Sequence, residues 1–264
     1  MKKAISLLFV LMLLPVAGFA NSIMPDFADV PNGWVTDRYQ PNTFANIGTF
    51  QGRDNVLEIG INRAQGISAR PGAYQSMFYN TQGMNYALTG GIGSVLSADL
   101  WIEESWADAS KGTVRSDMWG VMTDGSAVSG YPIIGFTNYG GAARYRVYDG
   151  DVAGGWVDLA TSVSYDDWTS FAILFTGTSF EFSINGSLVY TDTTIANTIG
   201  FSAAIMQAYN FFDPALGSLV ANNYEARWSN TPAPTATPEP GTMILMGVGV
   251  LGAVFMRRRS QKGN

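Results

Sequence analysis

The sequence predicts an all-β domain, an antiparallel β-sandwich, with a targeting segment on either side of it. Three observations point there. Between Asn21 and Asn230 apolar residues recur at every second position in short runs, and no stretch sustains a helical spacing. Glycine supplies 30 residues, as a fold with many tight turns requires. The segment is long enough to bury one good-sized core, and it has no repeat at a fixed period, which argues against a solenoid or propeller.

The strands follow in order. Leu57, Ile59 and Ile61 alternate, as do Leu96, Ala98, Leu100 and Ile102, then Ile134 and Phe136. Tyr145 and Val147 alternate with Arg144 and Arg146. Each pattern puts one face on a core and the other nearer water. The clearest unit is Trp168 to Thr191, where Phe171, Ile173 and Phe175 share a face and Gly177-Thr178 leads to Phe180, Phe182 and Ile184. Asn185-Gly186 follows at once and suits a type I′ hairpin turn, whose central residues both need positive φ. A last strand is expected over Asn223 to Trp228, with Tyr224, Ala226 and Trp228 on one side; Asp124-Gly125 and Asp149-Gly150 are further turn signals.

The run from Trp168 to Tyr190, with its alternation, its Gly177 break and its Asn185-Gly186 turn, resembles the corresponding stretch of laminin G-like, concanavalin A-like jelly rolls. The resemblance covers about 25 residues and implies consecutive antiparallel strands; other folds built on Asn-Gly hairpins stay open.

Outside the domain the composition changes. Lys2 and Lys3 precede an apolar stretch from Ala4 to Val16, and Gly18 and Ala20 are small where a signal peptidase looks, so residues 1–20 read as a signal peptide cleaved after Ala20. An uncleaved anchor is the rival. Residues 231–240 form a Pro/Thr-rich stalk, 241–256 an apolar run and 257–264 a basic tail. As a transmembrane helix the 16 residues from Gly241 to Met256 would reach roughly 24 Å against a hydrocarbon core of about 30 Å, a short span. Arg257, Arg258 and Arg259 would hold that end in the cytoplasm.

Pro238-Glu239-Pro240, then Gly241 and a short apolar helix, then the arginine cluster, resembles the PEP-CTERM sorting signal of Gram-negative bacteria. The resemblance implies an exosortase partner, a transient stay in the cytoplasmic membrane, and delivery to the cell surface or polysaccharide matrix. A simple tail anchor with a proline-containing stalk is the alternative.

Composition narrows the chemistry. Residues 21–230 hold 20 of the 21 acids and 9 of the 15 bases, a net charge of −11, which argues against nucleic-acid binding. There is neither cysteine nor histidine. That removes Ser-His-Asp and Cys-His nucleophiles, the usual zinc sites and histidine general bases, and leaves carboxylates, Tyr, Lys and Arg.

Some concanavalin A-like sandwiches are glucanases with an E-x-D-x-E triad along one strand. Here the nearest stretch, Asp99-Leu100-Trp101-Ile102-Glu103, has Trp101 in the middle. Its outer acids would stand about 13 Å apart on a flat strand, a gap the missing middle acid leaves hard to bridge. Asp99, Trp101 and Glu103 instead suggest an aromatic flanked by acceptors, a sugar-binding strip. Most of the seven Trp and 12 Tyr belong to a core on general grounds. Asp149 and Asp151 are candidates for a calcium loop, although Ala153 and Ala160 break the EF-hand pattern and a plain turn needs no metal. Gly91-Ile92-Gly93 precedes a strand rather than a helix, so it is no phosphate cradle.

The sequence therefore leads one to expect an exported, sorted, non-catalytic sandwich that binds extracellular polysaccharide and requires no cofactor. The alternatives are a carboxylate-based glycosidase or a Tyr/Arg polysaccharide lyase, and a protein-binding adhesin or matrix scaffold.

Overall fold

The computed structural model describes residues 21–195 and 197–231. The signal peptide with Gly18 and Ala20, nearly all of the stalk, the sorting tripeptide, the expected transmembrane helix and the basic tail lie outside the described residues. Among those described, no helix is long and apolar enough to cross a membrane.

Sixteen strands are described: β1 (Asn21–Ile23), β2 (Trp34–Thr36), β3 (Thr43–Asn46), β4 (Leu57–Ile61), β5 (Thr81–Gly90), β6 (Ser94–Ile102), β7 (Arg115–Thr123), β8 (Val128–Gly130), β9 (Ile133–Thr137), β10 (Arg144–Tyr148), β11 (Trp156–Asp158), β12 (Asp167–Phe175), β13 (Phe180–Ile184), β14 (Ser187–Asp192), β15 (Gly200–Tyr209) and β16 (Tyr224–Ser229). Only short 3-10 turns accompany them among the described residues. The strands make two eight-stranded sheets: β14-β13-β12-β6-β16-β4-β3 with β1 beside β6, and β11-β10-β9-β7-β15-β5-β2 with β8 beside β7. Pairing is antiparallel apart from β1 on β6. The chain is thus the all-β sandwich its periodicity predicts.

The first sheet obeys that prediction residue by residue. Along β6, β12 and β13 every second side chain is buried, and Leu96, Leu100, Phe171, Phe175 and Phe182 point into the gap between the sheets. The β13–β14 hairpin turns at Asn185 and Gly186, whose φ values of 49° and 76° are those a type I′ turn demands.

The second sheet departs from it. β7 and β9 are buried at nearly every position, because this sheet has a covered outer face as well as an inner one. Trp119, Val121, Ile133, Ala203 and Ile205 form a separate apolar cluster on that outer face, packed by Tyr148 and Trp156. Arg146, expected near water, is buried there for the same reason. The guanidinium of Arg38 covers Trp119 at 4.7 Å, and the Trp156 ring covers the guanidinium of Arg146 at 3.7 Å.

Polar contacts tie the sheets together through the core. Tyr145 Oη and Thr169 Oγ1 are 2.8 Å apart, and the Trp228 indole N–H donates to Ser116 Oγ at 3.0 Å. The Tyr224 hydroxyl on β16 lies 2.7 Å from the Tyr209 carbonyl and 2.8 Å from that of Arg115, and it accepts from the Tyr209 N–H at 3.0 Å. Complete burial pushes this phenol far above its ordinary pKa. Replacing Tyr224 by Phe leaves those buried β7 and β15 groups without their partner, so we expect a loss of about 1–3 kcal/mol, read as a lower denaturant midpoint at an unchanged slope.

Candidate functional site

The predicted strip does lie on one face, but its polar groups are already engaged. Asp99 and Trp101 project from the outer side of β6, alternating with buried Leu100 and Ile102, and Glu103 follows the end of the strand. Asp99 pairs with Arg53 at 2.9 Å, and Glu103 with Arg227 at 2.7 Å, where Arg227 also holds Glu58 at 3.1 Å. Trp101 packs edge to face with Phe50 and Trp168, each with ring centres 5.6 Å away. The strip is also divided. Trp101 and Glu103 border one hollow of about 550 Å³ and Asp99 another of about 440 Å³. Burial raises the Asp99 carboxyl above its usual pKa, with Ser170 and Arg53 opposing the shift.

A tighter constellation forms where the two sheets meet at one edge. Asp149 directly follows β10 and Asp151 lies in the turn after it, while Asp192 arrives at the end of β14 from the other sheet; ligand oxygens of the three lie within 4.8 Å of one another. Asp149 Oδ1 accepts the Asp151 N–H at 2.9 Å, and its Oδ2 accepts the Tyr190 hydroxyl at 2.7 Å. That bond, helped by some burial, pushes the Tyr190 phenol up to about 12. Asp192 Oδ1 accepts the Thr194 N–H at 2.8 Å. Burial raises the Asp192 carboxyl, Thr194 works against the shift, and the charges of Asp149 and Asp151 add to it. The balance favours the protonated form of Asp192. The turn is held open by Gly154 and Gly155 at φ of 85° and 75°, and a side chain at Gly155 would run into the Tyr148 ring.

Asp151 and Asp192 open onto a groove of about 360 Å³ walled by Tyr131, Tyr148, Phe180 and Ile195. Acids able to share a proton thus border aromatic surface. The sequence marked Asp149 and Asp151 but not Asp192, which no local spacing connects to them.

Comparisons with known proteins bear on both ends of this picture. Residues 236–259 match the family model of the PEP-CTERM protein-sorting motif. No curated protein matches the chain. Among solved structures the fold is similar to a Bacillus licheniformis beta-glucanase, at 13% identity and a TM-score of 0.45, covering 77% of this chain and 94% of that one. It is also similar to a family 16 endo-glucanase from Bacteroides ovatus, at 12% identity and a TM-score of 0.46, covering 77% and 96%. The LamAcat structure from Zobellia galactanivorans gives 10%, 0.46, 80% and 95%. This likeness concerns shape, and the chemistry rests on the side chains.

Two expectations are corrected. The sandwich's likeness is to glucanases rather than to laminin G domains. The expected non-catalytic binder, and with it the expectation of no enzyme, is corrected by the three clustered carboxylates of Asp149, Asp151 and Asp192. Asp99 and Glu103 are spaced along one stretch of chain, whereas Asp149, Asp151 and Asp192 are brought together from separate strands.

The raised Asp192 has a measurable consequence. A carboxyl whose folded pKa lies above its unfolded value costs stability at neutral pH, and the cost vanishes as pH falls through the folded value to below the unfolded one. Asp192→Asn, which keeps an oxygen for Thr194, should therefore melt higher than the native protein at pH 7 and level with it near pH 3. Melting curves across that range check the sign.

Proposed function

We propose that the domain is a carboxylate-based glycoside hydrolase carried to the cell surface or extracellular matrix by its sorting tail. The observation that carries the catalytic half is the pairing of Asp151 and Asp192 on the aromatic groove, with Asp149 beside them. Carboxylate oxygens within 4.8 Å of one another are close enough to suit a retaining rather than an inverting mechanism, one carboxyl protonating the departing oxygen and the other attacking the anomeric carbon. Asp192 holds the proton and gives it to the glycosidic oxygen. Asp151, the exposed member, is the nucleophile. Asp149 is pinned by Tyr190 and the Asp151 N–H and acts through its charge, keeping Asp192 protonated. Tyr131 and Tyr148 offer rings on which a sugar can stack. Water then releases the glycosyl-enzyme, with Asp192 taking the proton.

Asp192→Asn and Asp151→Asn should each lower the release of reducing ends from a panel of neutral and acidic polysaccharides by about a hundredfold or more. Native protein that releases none from any of them would end the hydrolase reading. The three oxygens also suit a hard cation, and calcium is the second reading of the cluster. A calcium-dependent rise in melting temperature that Asp192→Asn abolishes, with no hydrolysis by the native protein, would replace the first reading by the second.

The tail match supports an exosortase as the partner that reads Pro238-Glu239-Pro240, after export and a stay in the cytoplasmic membrane. Glu239→Ala in the native host should then leave the unprocessed chain in that membrane with its domain folded. Equal mass and equal fractionation of native and variant chains would mean that the tail is only an anchor.

A further inference from the structure

The outer face of the second sheet holds more polar atoms than it pairs. Asp158, Arg146, Gly135, Asp117, Gln207 and Gly83 stand opposite one another on six neighbouring strands, so their side-chain positions form one row across the sheet. Arg115 donates to Asp117 Oδ2 at 2.6 Å, and the Gln207 amide donates to the same oxygen. Arg146 Nη2 stands 4.0 Å from it, beyond hydrogen-bond reach. Four residues are left with open atoms: Asp117 Oδ1, Gln207 Oε1, Arg146 Nε and Nη2, and Trp119 Nε1. All four are deeply buried, at 0%, 0%, 6% and 5% exposure.

Buried polar atoms in folded proteins are almost always bonded, so this face calls for a guest. The guest must donate to two oxygens and accept from a guanidinium and an indole. Water could do both, and so could a sugar. The arginine narrows the choice: Nε and Nη2 are the two donors of one guanidinium edge, the fork that grips a carboxylate with two parallel bonds. Charge agrees with that choice. The domain is acidic, yet Arg38, Arg115, Arg144 and Arg146, four of its nine bases, lie on this face or over it. The neighbouring row is aromatic, with Trp156, Tyr148 and Trp119 in register.

We infer that this row is a binding subsite for a uronic acid residue of an acidic polysaccharide. Its carboxylate takes the open edge of Arg146, and its hydroxyls donate to Asp117 Oδ1 and Gln207 Oε1. Entry is past Trp156, a half-buried ring on a three-residue edge strand that lies over both Arg146 and Arg115. Tyr148 packs on Trp156 and also walls the acidic groove. A polymer lying along these aromatics would reach both places, although the subsite itself does not depend on hydrolysis.

The test is calorimetric titration of the full chain, held in mild detergent, with a uronate oligosaccharide and with its carboxyl-reduced, neutral counterpart. The acidic form should bind more tightly, and its advantage should shrink as salt rises. Arg146→Gln should cut the acidic affinity by about tenfold or more and leave the neutral one unchanged, while Glu181→Gln, on β13 of the other sheet, should leave both unchanged. Equal affinities for the two oligosaccharides, or no binding of either, would overturn the subsite and mean that water alone fills the row. Salt dependence of the native protein decides the matter if Arg146→Gln does not fold. Loss of hydrolysis with binding intact would separate failure of the catalytic reading from failure of this one.

Discussion

A carboxylate with no exposure sits near the middle of the second sheet, and its neighbours are arranged to hold it. An unpaired charge there would cost several kcal/mol, so Asp117 fixes what stands around it. Arg115 and Gln207 supply donors from its own strand and the next. Gly135, opposite it on β9, cannot carry a side chain, because a Cβ would strike the Asp117 carboxylate and the Ser116 carbonyl. Arg115 and Arg146 are in turn covered by the Trp156 ring, and burial lowers the Arg146 pKa to about 10. The outer face of this sheet is thereby covered around Asp117, and the aromatic row beside it leads to the groove at the sandwich edge.

The acidic cluster depends on the sandwich in a different way. Its members come from the ends of strands in opposite sheets, β10 in one and β14 in the other. The Tyr190 hydroxyl, also on β14, reaches across to Asp149 and keeps that edge in register. Rigid sheets set the spacing, and the short turn after β10 presents Asp151. Hydrogen bonds from Tyr190, Thr194 and the Asp151 N–H offset part of the repulsion among the three charges, and a proton or a cation would offset more, which makes the site chemically responsive rather than merely acidic.

Charge works on two length scales in this molecule. A domain of net charge −11 repels polyanions at a distance, but beyond roughly 8 Å that repulsion is screened at physiological salt. Closer in, the guanidinium groups over the second sheet dominate. The proposed contact with an acidic polymer is thereby confined to the neighbourhood of these arginines.

Sequence alone determined what depends on neighbours in the chain. The alternation of Leu96 to Ile102 and of Phe171 to Phe175 placed one face of the first sheet on the core, Asn185-Gly186 set a hairpin, and Pro238 to Arg259 spelled out a sorting tail. Three of the second sheet's strands, β5, β7 and β15, gave no such signal: β7 and β15 are buried on both sides, and β5 changes its pattern along its length. Burial of both faces erases the period of two that marks a half-exposed strand. Only the tertiary structure could set Asp192 beside Asp149, or align Arg146, Asp117 and Gln207 in one row. Those meetings depend on strand order and register, which come from pairings between distant parts of the chain and leave no trace in local spacing.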